Sequence, residues 1–209
     1  MKQITVIDYG AGNLLSVCRA LEACGYTVGS TSDPAAAAQA EALVLPGVGA
    51  FGDGMVSLHR RGLDEAIRHA VQNGAPLLGI CLGMQMLFDE SEEGGLHKGL
   101  GLIPGRVVRI PDTAADGSPL RVPHVGWEAL EGTPRGFAGT ALEHLGSAQV
   151  YFVHSFAAQP ACPDDLLACA RYGGHAVCAA VQRGKVLGCQ FHPEKSGPAG
   201  LAILRAFFG

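Results

Sequence analysis

Three short apolar runs, Ile4 to Ile7, Ala42 to Leu45 and Leu77 to Ile80, are each followed within three residues by Gly or Pro and separated by segments of helical spacing. Apolar runs without polar alternation predict parallel strands covered on both faces. Between them, Leu14 to Cys24 and Val56 to Val71 predict helices. The second carries Leu58, Leu63, Ala66 and Ile67 on one face and Arg60, Arg61, Asp64 and Arg68 largely on the other. Strand, helix, strand in succession confines the first half to a doubly wound α/β fold.

The second half reads differently. Strand candidates at Gly105 to Ile110, Gln149 to Phe156, Leu166 to Tyr172, Ala176 to Gln182 and Val186 to Phe191 are joined by turns such as Gly173-Gly174 and Arg183-Gly184. They predict antiparallel strands added to the sheet, with Leu201 to Phe208 as a closing helix. The expected fold class is therefore α/β. It is a single domain over residues 1–209, with a mostly parallel central sheet flanked by helices and antiparallel strands in the C-terminal half.

Of the 209 residues, 48% are hydrophobic and 16% charged, with a formal charge of -4 and no run of Lys or Arg. Nothing marks a nucleic-acid or anionic-lipid surface. No apolar run approaches the roughly 18 to 20 residues needed to span a bilayer, and the first strand begins too early for a signal peptide. Seven cysteines without a C-x-x-C pair suggest neither a disulfide framework nor a thiolate metal site, which points to a reducing cytoplasm. No metal or organic cofactor is called for.

One cysteine has a special context. Gly79-Ile80-Cys81-Leu82-Gly83 places Cys81 between two glycines, where an apolar strand ends and a helix is expected to begin. This is the cysteine counterpart of a nucleophile elbow, which lifts the sulfur out of the sheet. Backbone N–H groups at a helix start favour thiolate over thiol. By itself the motif more often marks a core cysteine beside a tight turn, and a base must be found before it reads as catalytic.

A base is available near the C-terminus. In Phe191-His192-Pro193-Glu194, His192 can take the thiol proton and later protonate a leaving amine, while Glu194 fixes its tautomer. The glycine-rich loop Pro46-Gly47-Val48-Gly49 follows a strand candidate and can present backbone donors to an oxyanion. Gly49 and Leu82 are the expected donors. The loop lacks the Gly-Lys-Ser/Thr of a P-loop.

With Pro46 to Gly49, Gly79 to Gln85 and Phe191 to Glu194 in this order, the sequence resembles the class I (triad) glutamine amidotransferases over nearly its whole length. Further stretches are similar to the glutaminase subunits of imidazole glycerol phosphate synthase. They are Asp8 to Leu14, Gly99 to Val107, Pro123 to Trp127, Tyr151 to Phe156 and Glu194-Lys195-Ser196.

The resemblance implies a flavodoxin-like fold and hydrolysis of glutamine through a thioester on Cys81. It also implies delivery of ammonia to a (β/α)-barrel cyclase subunit in a heterodimer of histidine biosynthesis. The cyclase then makes imidazole glycerol phosphate and an aminoimidazole carboxamide ribonucleotide. By the same likeness Gln85, Gly47, Tyr151, His154 and Ser155 hold glutamine, and Asn13, Trp127 and Lys195 face the partner. Val150 departs from the family pattern, in which an aromatic residue often precedes Tyr-Phe-Val-His. Three other readings stand beside this one: a glutaminase serving another synthase, a cysteine-elbow protein without glutaminase activity, and a purely structural subunit.

Overall fold

A computed structural model describes residues 2–134, 136–146 and 148–209. The first half runs β1 (Gln3–Ile7), α1 (Leu14–Ala23), β2 (Thr27–Thr31), α2 (Pro34–Ala38), β3 (Leu43–Leu45), α3 (Phe51–Arg60), α4 (Leu63–Gln72), β4 (Leu77–Ile80) and a single-turn α5 (Leu82–Gln85). The second half adds β5 (Phe88–Ser91), β6 (His97–Lys98), β7 (Ile103–Arg109), β8 (His124–Ala129), β9 (Glu131–Gly132), β10 (Gln149–His154), β11 (Phe156–Pro160), β12 (Leu166–Tyr172), β13 (His175–Arg183), β14 (Val186–Cys189) and α6 (Gly197–Phe208).

The main sheet has eight strands in the order β2-β1-β3-β4-β14-β13-β12-β9. The first five pair in parallel and the rest antiparallel. Ile4, Val6, Val44, Leu78 and Ile80 point into a core closed by Leu21 of α1 and by Ile203 and Phe208 of α6. Ile7, Leu43, Leu45 and Leu77 point the other way, toward Leu58 of α3 and Leu63 and Ile67 of α4. Both faces of β3 and β4 are dry, so these strands read as continuous apolar runs.

Several boundaries differ from the sequence expectation. Val56 to Val71 is not one helix, because Gly62 adopts a left-handed φ of 67° and separates α3 from α4. Gln149 to Phe156 is not one strand. It breaks at Ser155: before the break β10 pairs with β8 in a two-stranded sheet, and after it β11 pairs with β7 in a four-stranded one.

Neither Gly105 to Ile110 nor this stretch extends the main sheet. There β12 and β13 supply the antiparallel additions, while β14, also expected to be antiparallel, inserts in parallel beside β4. A strand's own residues encode which face is apolar but not the direction of its neighbour, which depends on distant chain. The closing helix starts at Gly197 rather than Leu201, since Pro198 sits in the first turn, where an N–H has no helical acceptor anyway.

Among the described residues no helix is long and apolar enough to cross a membrane. All seven cysteines are free.

Candidate active site

Cys81 stands between β4 and α5 with φ 54° and ψ -110°. Among the described residues no other non-glycine residue has a positive φ. Such a conformation costs on the order of 1–3 kcal/mol and persists only where the surroundings over-determine it. Here they do. A Cβ on Gly83 would stand 1.8 Å from the Leu45 carbonyl oxygen, and one on Gly79 would stand 2.8 Å from that of Gly83. Only glycine lets α5 approach β3 and β4 this closely. The helix expected after Cys81 is a single turn, so what it offers the sulfur is its local N–H groups.

The candidate base, His192, lies on the adjacent strand's exit. The parallel pairing of β14 with β4, and a bond from Cys81 N–H to Cys189 O at 2.8 Å, bring His192 to the elbow. His192 Nδ1 is 2.7 Å from Glu194 Oε1, with the two side chains 2% and 1% exposed. Burial alone would depress the imidazole's proton affinity. Its interactions with Cys81 and Glu194 outweigh that and raise its pKa from 6.5 to about 9. Nε2, the nitrogen not facing Glu194, is buried without a hydrogen-bond partner. Reactive-site hydrogen bonds commonly tighten only once substrate is bound.

A cavity of about 370 Å³ opens over the pair, and its lining includes Cys81, His192, Gly49, Leu82, Gln85, His154 and Ser155. Gly49 has φ 105°, and Leu82 is the first residue of α5, so its N–H has no acceptor within the helix. Gly47 is not part of the lining. A Cβ there would meet the Tyr9 hydroxyl at 2.6 Å and Leu82 Cβ at 2.8 Å, so it serves close packing of the loop.

Gln85 donates through Nε2 to Phe156 O at 3.0 Å and to Gln190 Oε1 at 3.1 Å. Gln190 in turn donates to Cys81 Sγ at 3.7 Å. Both nitrogens of His154 are engaged, with Phe156 O at 2.8 Å and with His124 at 3.2 Å, so neither remains for a ligand.

Residues 5–209 match the glutamine amidotransferase class-I family. The chain is 46% identical over 210 residues to the imidazole glycerol phosphate synthase subunit HisH 1 of Legionella pneumophila (strain Lens), covering 99% of each chain. It is 50% identical over 206 residues to the HisH subunit of Geobacillus kaustophilus (strain HTA426), covering 99% of this chain and 96% of that one. The chain belongs to the HisH family of class I glutamine amidotransferases.

The architecture agrees. A crystal structure described as a glutamine amidotransferase superposes on this amidotransferase with a TM-score of 0.73 at 24% identity, covering 97% and 96% of the two chains. The structure of PurLQS from Thermotoga maritima superposes with a TM-score of 0.74 at 20% identity, covering 99% and 97%.

Other expected residues of the amidotransferase lie around the cavity rather than in it. The Tyr151 ring is 5.7 Å from that of Trp127 and 6.5 Å from that of His192, and Lys195 Nζ is 5.9 Å from its centroid. Trp127 and Lys195 therefore share one exposed cluster around Tyr151. Asn13 is half-buried in a separate loop that abuts Pro46 and Gly47. Val150 is fully buried in the α1–α6 core, away from the cavity.

Three residues escaped sequence reasoning. Gln190 and Glu93 belong to no motif, and Glu93 lines the cavity while accepting from Phe51 N–H at 2.8 Å. His124 was legible only as part of a similar segment.

Proposed function

We propose that the chain is the glutaminase subunit of an imidazole glycerol phosphate synthase, with Cys81, His192 and Glu194 as its triad. The observation that carries this is the dry His192–Glu194 pair, 2.7 Å apart, beside a cysteine on a strained elbow.

The chemistry follows from the arrangement. With its pKa raised to about 9, His192 holds the proton it shares with Cys81 at neutral pH, and the sulfur adds to the side-chain amide carbon of glutamine. The oxyanion is met by the N–H groups of Gly49 and Leu82. His192 then gives its proton to the departing nitrogen, and ammonia leaves a glutamyl thioester. Water, losing a proton to the same imidazole, releases glutamate and restores the thiol. Glu194 holds the ring and supports its cation. Of the side chains lining the cavity, Glu93 supplies the carboxylate suited to the substrate ammonium, and Ser155 offers a hydroxyl.

The ammonia acceptor in this reading is the (β/α)-barrel cyclase subunit that the family resemblance implies; the relatives at 46% and 50% identity are named as subunits of imidazole glycerol phosphate synthase. Val48, Val125, Trp127 and Val153, 36–54% exposed, form apolar surface near the cavity mouth where such a subunit would sit. The test is glutamate release by the chain with and without a barrel subunit. No release in either case would remove the proposal.

A further inference from the structure

The imidazole of His124 is a buried polar group that the reaction above leaves unused. It is 0% exposed at the start of β8. It stacks on Tyr172 at 4.0 Å and on Phe152 at 5.0 Å, so its plane is fixed. Its Nδ1 lies 3.2 Å from Nε2 of His154.

The polarity of this contact can be deduced. Phe156 O, 2.8 Å from His154 Nδ1, is only an acceptor, so that nitrogen carries the hydrogen. A neutral His154 then presents a lone pair at Nε2, and His124 must donate from Nδ1. His124 Nε2 is left with a lone pair and no partner, 3.8 Å from Glu128 Oε1. The same Phe156 carbonyl accepts from Gln85, which donates to Gln190, which donates to Cys81 Sγ. A continuous chain of hydrogen bonds thus runs from the sulfur to a strand whose outer face carries exposed Val125 and Trp127.

We propose that His124 is a positioning residue for glutamine hydrolysis, an inference that rests on the glutaminase reading. Its Nδ1–H occupies the lone pair of His154, which keeps His154 neutral and anchors the Phe156 carbonyl that orients Gln85, Gln190 and the Cys81 sulfur.

Neutrality matters because His192 must carry the only imidazolium in the site. A second cation at His154 would repel the proton that His192 holds. Burial, with further lowering from His124 and His192 against a raising bond to Phe156 O, holds His154 near 4, and burial holds His124 near 4 as well. The charged or titratable groups around the pair are Glu128 on β8, His192 and Glu194 after β14, Glu93 across the cavity, Cys81, and Tyr172 on β12. The orphaned Nε2 of His124, facing Glu128, marks where a proton would enter if the pair were charged.

The test compares H124L, which removes the donor at similar volume, with H124N, whose amide can place a donor near the Nδ1 position. Glutamate release is measured from pH 5 to 9 on the full chain with the barrel subunit, and the His154 imidazole is titrated by NMR. In H124L, kcat is expected to fall about tenfold with KM changed less than about threefold, and the acid limb of the rate profile and the His154 titration to rise by about one pH unit. H124N is expected to restore most of both shifts.

An H124L protein with wild-type profile and titration overturns the proposal. So does a folded H124N that behaves as H124L does. Should the wild-type complex release no glutamate, the glutaminase reading fails by itself, and the His154 titration still decides whether the donor from His124 holds its charge state.

Discussion

The imidazole of His192 and the carboxylate of Glu194 meet at 2.7 Å with 2% and 1% of their side chains exposed, two residues apart on either side of Pro193. A pair this dry is costly to break from one side only, because the remaining partner is left buried and unsatisfied. His192→Ala should therefore lower kcat nearly as far as loss of the nucleophile. Glu194→Gln should fall less, by roughly 10²–10⁴, the range expected for losing the group that sets the tautomer. Steady-state glutamate release ranks the variants, and a larger loss in Glu194→Gln than in His192→Ala would reverse the assigned roles.

Cys81→Ala should abolish glutamate release while preserving the fold. Because the position sits at φ 54° and ψ -110°, Cys81→Gly relieves strain that Cys81→Ala retains. The glycine variant should be the more stable of the two by about 1 kcal/mol in denaturant unfolding. Equal stability would show that the elbow is not strained.

Glu93→Gln keeps an acceptor for the Phe51 N–H but removes the carboxylate charge from the cavity. We expect KM for glutamine to rise about tenfold, the equivalent of about 1.4 kcal/mol, with kcat within about twofold. A fall in kcat at constant KM would place Glu93 in the chemical step instead.

The barrel subunit should raise kcat of the isolated chain far more than it changes KM. Gly49, at φ 105°, lies in a loop whose peptide can turn its N–H toward or away from the oxyanion, and one such donor is worth about a hundredfold to a thousandfold in rate. Equal turnover with and without the partner would mean that the loop is already competent.

The three buried histidines set a stability optimum. His124 and His154 titrate near 4 in the folded chain, so below pH 6.5 the unfolded chain binds protons that the folded one refuses. Stability then falls toward pH 4 by about 1.4 kcal/mol per pH unit for each. His192 titrates near 9, so its contribution is complete below pH 6.5 and is lost as pH rises toward 9. Unfolding free energies measured from pH 4.5 to 9 should peak near pH 6.5. A monotonic rise or fall across that range would contradict the histidine assignments.

The sequence by itself determined the alternation of buried strands and helices, the elbow at Cys81 and the candidate base at His192. Each is a local pattern: a run of apolar side chains, two glycines flanking a nucleophile, a proline-restrained pair. The parallel insertion of β14 beside β4 was not legible, because strand direction is settled by residues far apart in the chain, and that insertion is what brings His192 to Cys81. The break at Ser155 was likewise hidden, since one apolar stretch serves two different sheets. Gln190, Glu93 and His124 have ordinary neighbours in sequence. Their roles come from hydrogen bonds and walls made with residues 30 to 109 positions away, at Cys81, Phe51 and His154, and such contacts exist only once the tertiary structure has formed.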